Sequence, residues 1–170
     1  MTRILADEEI DRLLMERKPL PENWRKRLEP RQKAREAHRR RLYKVQGEDG
    51  HQFRIHVRDS TIGLFDFSII LVFVDVDGVE YPLIRFNGKH PSDHTNKWEK
   101  KRCKPNARFR NQFHIHRATE RYQIDPQCRI DGYAEVTSRY HSFGSALEAF
   151  VKSNGFEIKR DMPNDQPTWF

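Results

Sequence analysis

The stretch "FSIILVFVDVDGVEYPLIRFN", residues 67–87, decides the fold. Residues 67–76 are apolar almost throughout and rich in β-branched side chains, the pattern of a central strand covered on both faces. Asp77-Gly78 supplies a turn and residues 80–87 a returning strand, so the stretch is a hairpin. Upstream, "LYKVQ", "GEDG" and "HQFRIHVRD" form a second hairpin. In it Phe53, Ile55 and Val57 alternate with Arg54, His56 and Arg58, leaving one face apolar and the other basic. Downstream, "FHIHRAT" (113–119) alternates again, with Phe113 and Ile115 on one side and His114 and His116 on the other.

Helical spacing occurs at both ends of the chain. Phe143, Ala146, Leu147, Phe150 and Val151 form an apolar stripe over 143–153, with Ser142 or Ser145 as cap and Asn154-Gly155 as stop. Residues 7–16 put Ile10, Leu13 and Leu14 at helical spacing behind three acids in the first turn. Pro19 and Pro21 end that helix. A second helix is expected over 31–42, "RQKAREAHRRRL", rich in helix formers but without an apolar stripe. The reading is an α+β fold: an antiparallel sheet of four to six strands, one C-terminal helix packed on a face, and a basic helical N-terminal arm. The arm covers 1–41, the domain 42–156 and a Pro-containing tail 157–170, whose start can add an edge strand. The stretch 88–110 reads as a long functional loop.

Charge narrows the partners. The chain has 170 residues and a formal charge of +7. From Arg17 to Lys44 there are 12 basic residues against three acids, and from Asn96 to Arg110 seven against Glu99 alone. Two such patches point to a polyanion, most often nucleic acid, bound in a salt-sensitive way. Two cysteines do not make a disulfide framework, and neither sits in a Cys-x-x-Cys pair. The longest apolar run is too short to span a bilayer and no signal pattern is seen, so a cytoplasmic protein is expected.

The chemistry is concentrated around "NQFHIHRATERY" (111–122). On a strand, His114 and His116 lie on one face roughly 7 Å apart. Arg85 and Asn87 share a face of the preceding strand, and the loop adds His90 and His94. Three readings compete. Two strand imidazoles, completed by His90 or His94, suit zinc, copper or nickel. Alternatively, one imidazole takes a 2′-hydroxyl proton, another protonates the leaving oxygen and cations stabilise the phosphorane, cleaving RNA without a metal. In the third reading the histidines only touch phosphate, and the protein is a non-catalytic nucleic-acid-binding module.

The order hairpin, "IRFN" strand, histidine-bearing loop, "HIH" strand and terminal helix resembles the TumE-type toxins of bacterial toxin–antitoxin systems over roughly residues 42–153. "RFNG" lacks the Asp that those toxins carry before Asn, and the basic loop is longer here. The resemblance implies a toxin-like endoribonuclease acting on RNA, with a protein antitoxin as partner, and places Arg85, Asn87, His90, His114 and His116 at the family's polar positions. On this reading His114 and His116 share acid and base duty on the open face of the sheet. Arg85 and Arg117 hold the scissile phosphate, and His90 joins if the loop folds inward. No cofactor is required. Lys100, Lys101, Arg102, Lys104, Arg108 and Arg110 are expected to bind the RNA backbone, with Arg39, Arg40 and Arg41 as a further contact.

Overall fold

The alternating stretches build an antiparallel sheet with its apolar core on one face. The computed structural model describes residues 3–32, 37–105 and 107–160. In chain order the elements are α1 (Asp7–Met15), β1 (Lys18–Pro21), α2 (Trp24–Leu28), β2 (Arg31–Gln32), β3 (His38–Gln46), β4 (Gln52–Ser60), β5 (Phe67–Val74) and β6 (Glu80–Asn87). There follow β7 (Asp93–Thr95), α3 (Lys97–Lys101), β8 (Arg108–Arg110), β9 (His114–Arg117), α4 (Glu120–Ile124), β10 (Tyr133–Val136), α5 (Phe143–Ser153) and β11 (Phe156–Lys159).

Seven strands form the main sheet in the order β10-β9-β6-β5-β4-β3-β2, every neighbouring pair antiparallel. Strand β5 is the middle one, as its apolar run requires. Its Phe67, Ile69, Leu71 and Phe73 are buried, while Ser68, Ile70 and Val74 on the other face are only half-buried. The expected double cover is therefore complete on one face alone. Gly78, at φ +81°, makes the β5–β6 turn.

The covered face carries the core. Ala146, Leu147, Phe150 and Val151 of α5 pack with Ile10, Leu13 and Leu14 of α1 in one apolar cluster that includes Phe53, Ile55, Ile69, Leu71 and Phe86. The cap of α5 is Ser142, whose side chain accepts from the Ser145 amide while Ser145 Oγ accepts from the Ser142 amide. The N-terminal arm lies on the body: Leu5, Leu20, Trp24 and Leu28 belong to the same cluster. The tail start pairs as β11, in parallel with β1. Lys18 ties these ends together. It is fully buried, and its ammonium donates to the carbonyls of Leu14 (3.0 Å), Glu16 (2.8 Å) and Asn154 (3.2 Å), closing the ends of α1 and α5.

Three expectations need correction. The sheet has seven strands, not four to six. The expected helix over 31–42 is absent at 31–32 and 38–42, which are strand, while 33–36 lie outside the described residues. Residues 38–41 extend the β3–β4 hairpin, pairing from His38↔Ser60 to Arg41↔Val57. Long-range pairing overrides helix propensity there. The stretch 88–110 is not a plain loop, since β7 and β8 pair antiparallel with α3 between them.

Lys18→Met should leave three helix-end carbonyls without a donor. We expect a loss of about 3 kcal/mol, read as a lower urea midpoint with an unchanged slope.

Candidate histidine centre

Strand register assembles the site. The β6–β9 pairing sets Arg85 opposite His116 and Asn87 opposite His114. All four project from the face away from α1 and α5, because Phe86 and Ile115, their alternating neighbours, face the core. Beneath them the Tyr140 hydroxyl lies between the carbonyls of Asn87 (2.9 Å) and His114 (2.8 Å), joining the ends of β6 and β9.

The basic segment then closes over this face. Gly88 starts it, where a Cβ would collide with the Phe65 carbonyl. Asn111, at φ +49°, turns the chain from β8 into β9. Asn96 fastens the segment to the sheet edge, its Oδ1 accepting from the Ala134 amide and its Nδ2 donating to the Ala134 carbonyl, both at 2.8 Å. His94 consequently packs on His116 and His114, with ring centroids 4.7 and 5.7 Å apart, and His90 on His114 at 5.2 Å. Phe109 covers His94 and His114 at 4.9 and 5.1 Å. The pair is therefore not on an open face: His114 and His116 are buried.

Each ring's proton can be placed from its partner. His114 Nδ1 faces the Gln112 carbonyl at 2.7 Å and His116 Nδ1 faces the Asp131 carbonyl at 2.9 Å, so both Nδ1 atoms are the donors. Asn96 Oδ1 is fixed by its contact with the Ala134 amide, so His94 Nε2 donates to it at 2.8 Å. The nitrogens that keep a lone pair are then Nδ1 of His94 and Nε2 of His114 and His116. Asn87 Nδ2 donates to His114 Nε2 at 3.2 Å. Burial lowers the pKa of all three rings, that of His114 to about 4 and that of His116 to about 2. Three neutral imidazoles thus stand together, with Arg85 paired to the buried Asp131 beside them.

The structure separates the sequence candidates. It brings together Arg85, His90, His114 and His116. Arg117 projects from the opposite face and pairs with Asp11 of α1, so it does not join Arg85. Lys104 and Arg108 line a cleft of about 880 Å³ beside the centre, whose walls include Trp98, Phe109, Gln112, Arg121 and Tyr133. Lys100 is exposed, Lys101 pairs with Asp125, Arg102 lies over Trp98, and Arg108 and Arg110 pair with Asp93. Arg39 pairs with Asp59 and Arg40 is exposed. Arg41 is buried and donates to the Arg27 carbonyl, which removes it from any surface contact.

Asp131 and Phe109 were not anticipated, nor was the fastening role of Asn96, a loop residue that reads as a phosphate contact but is bonded to Ala134; His94 was seen only as one of two loop histidines. No local spacing marks Asp131; the β9–β10 pairing brings it under His116. No family model matches the chain, and no curated protein or solved structure was found similar to it.

The metal-free protein should lose stability as pH falls. The unfolded chain binds protons at His114 near pH 6.5, the folded chain only near pH 4, so in that window unfolding takes up protons. By pH 5 the loss from His114 is about 2 kcal/mol. Chemical denaturation of EDTA-treated protein at pH 7.5 and 5 measures the loss, and His114→Gln should shrink the difference by about that amount while His116 and His94 keep the rest.

Proposed function

We propose that the chain is an RNA-cleaving enzyme of toxin type, centred on Arg85, His94, His114 and His116. The observation that carries the reading is the closure of the basic segment 88–110 over the polar sheet face. It places three imidazoles and Arg85 beside a cleft bearing Lys104, Arg108, Trp98 and Tyr133. Cations beside aromatic faces suit a single strand, with phosphates on the cations and bases stacked on the rings.

In the reaction a 2′-oxygen bonds to phosphorus as the bond to the 5′-oxygen breaks. The 2′-hydroxyl proton passes to the lone pair of a neutral imidazole of the cluster, and the 5′-oxygen takes a proton from water, whose hydroxide takes the imidazolium proton back. Arg85 stabilises the charge on the phosphorane. The expected division of labour, in which one histidine of the pair starts protonated, does not suit this environment: both imidazoles are neutral, and each gives its one N–H to a backbone carbonyl. Neither can be the starting acid. A cytoplasmic setting and a protein antitoxin that masks the basic surface belong to the same reading. No helix among the described residues is long and apolar enough to cross a membrane.

Full-length protein incubated with labelled total RNA and a tRNA pool tests this. Cleavage is expected from the parent chain, reduced about 100-fold in Arg85→Ala. In Arg117→Ala it should stay within a few-fold, because Arg117 faces away. Salt-dependent binding without cleavage would make the surface a nucleic-acid-holding module instead.

A second expectation concerns affinity. Lys100→Ala with Lys104→Ala should reduce the slope of log K against log salt for single-stranded RNA by about 1.4, two phosphate contacts' worth. An unchanged slope would remove both lysines from the interface.

A further inference from the structure

We infer that His94, His114 and His116 form a binding site for a divalent transition metal ion of the zinc type. One ring nitrogen from each of the three lies within 4.8 Å of one from each of the others. Convergence of two buried imidazoles and a half-buried one is costly without a purpose. Rings largely stripped of water gain little by facing one another, and lone pairs that meet lose the hydrogen bonds that solvent would give them.

The proton placements match what a metal site requires. A ligand imidazole must be neutral, with its other nitrogen donating to a fixed acceptor that sets tautomer and ring orientation. All three rings meet this condition through the Asn96 side chain, the Gln112 carbonyl and the Asp131 carbonyl. The acceptors are firmly held: Asn96 is pinned at both ends of its amide by Ala134, and Asp131 is buried against Arg85. The structure therefore supplies the outer support of a metal centre as well as its donors.

The donor set also selects the ion. Three imidazoles with no thiolate suit zinc, cobalt, nickel or copper, and not calcium or magnesium, which take oxygen ligands. Cys103 is exposed and belongs to no such group, and the Asp131 carboxylate is engaged by Arg85. Three protein nitrogens leave a coordination position open, the arrangement of a catalytic rather than a structural zinc site. Asn87 stands beside His114. Its Nδ2 makes only the 3.2 Å contact to His114, and its buried Oδ1 has no partner among the described residues. An ion-bound water would give that oxygen a donor.

Binding needs a modest closure. Nitrogens in a tetrahedral zinc shell are roughly 3.3 Å apart, against a limit of 4.8 Å here. His94 can make the adjustment, because it comes from the 88–110 segment and not from the main sheet. A bound ion also lowers the pKa of its water, the proton carrier that three neutral imidazoles do not themselves provide. The site stands whatever polymer the chain acts on.

The test uses full-length protein stripped with EDTA and titrated with ZnCl2 and CoCl2 at pH 7.5. We expect one ion per chain, zinc with a Kd below about 1 μM, and a visible cobalt spectrum of four- or five-coordinate type. His94→Ala and His116→Ala should each weaken zinc at least about 100-fold, and Asn96→Ala, which frees the His94 ring, by about 10-fold or more. His90→Ala, outside the triad, should leave affinity within a few-fold. Melting of the metal-free variants separates lost ligation from lost fold, and restoration of zinc binding by His116→Cys would establish a ligand role without reference to stability. Absence of stoichiometric binding, or binding indifferent to both His94→Ala and His116→Ala, would overturn the inference. Zinc binding without RNA cleavage would leave the site standing and defeat only the proposed substrate. RNA cleavage by a chain that binds no zinc would do the reverse.

Discussion

The register between β6 and β9 is the constraint on which the site depends. Four residue pairs fix it, from Ile84↔Arg117 to Asn87↔His114. A slip of one residue would turn His114 and His116 into the core and Ile115 out of it, a change that the apolar face of the sheet forbids. Tyr140 adds a lock from below by bridging Asn87 and His114. The core and the polar centre are thus two faces of one pairing, and the stability of the first holds the geometry of the second.

Burial decides the chemistry. Four polar side chains on a sheet face exposed to water would make an ordinary binding surface, with histidines free to take up protons near neutrality. Closing 88–110 over them changes their character. Desolvation keeps the rings neutral, each N–H finds an acceptor, and the single strong cation in the centre, Arg85, is held against Asp131. What results is a set of basic nitrogens in a sheltered environment whose one cation is neutralised by Asp131. That suits a cation shared among lone pairs. The rim itself is more neutral than composition implies, since Lys101, Arg108 and Arg110 have acidic neighbours. Exposed pairs of this kind are worth little.

Much of the fold was legible because it follows from local alternation. The β3–β4 and β5–β6 hairpins, the central place of β5, the α5 helix and the common face of Arg85, Asn87, His114 and His116 all follow from period and turn residues. Arg117 could also have been placed correctly, since it directly follows His116 on a strand and must point the other way. The remainder depended on distant partners. Residues 38–41 have helical propensity but meet β4 across the hairpin. The 88–110 segment takes its shape from Asn96 on Ala134, 38 residues away, and Asp131 reaches the site only through β10. His94 could not be preferred to His90 by spacing; the packing of β7 against β8 makes the choice.

The account turns on three neutral rings with assigned protons, and imidazole nitrogen NMR observes those protons directly. Long-range ¹⁵N–¹H correlation on metal-free protein at pH 7 should show His114 and His116 as neutral Nδ1–H tautomers and His94 as the neutral Nε2–H tautomer. Addition of one equivalent of zinc should shift Nε2 of His114 and His116 and Nδ1 of His94. Protonated rings, or the opposite tautomers with no response to zinc, would contradict it.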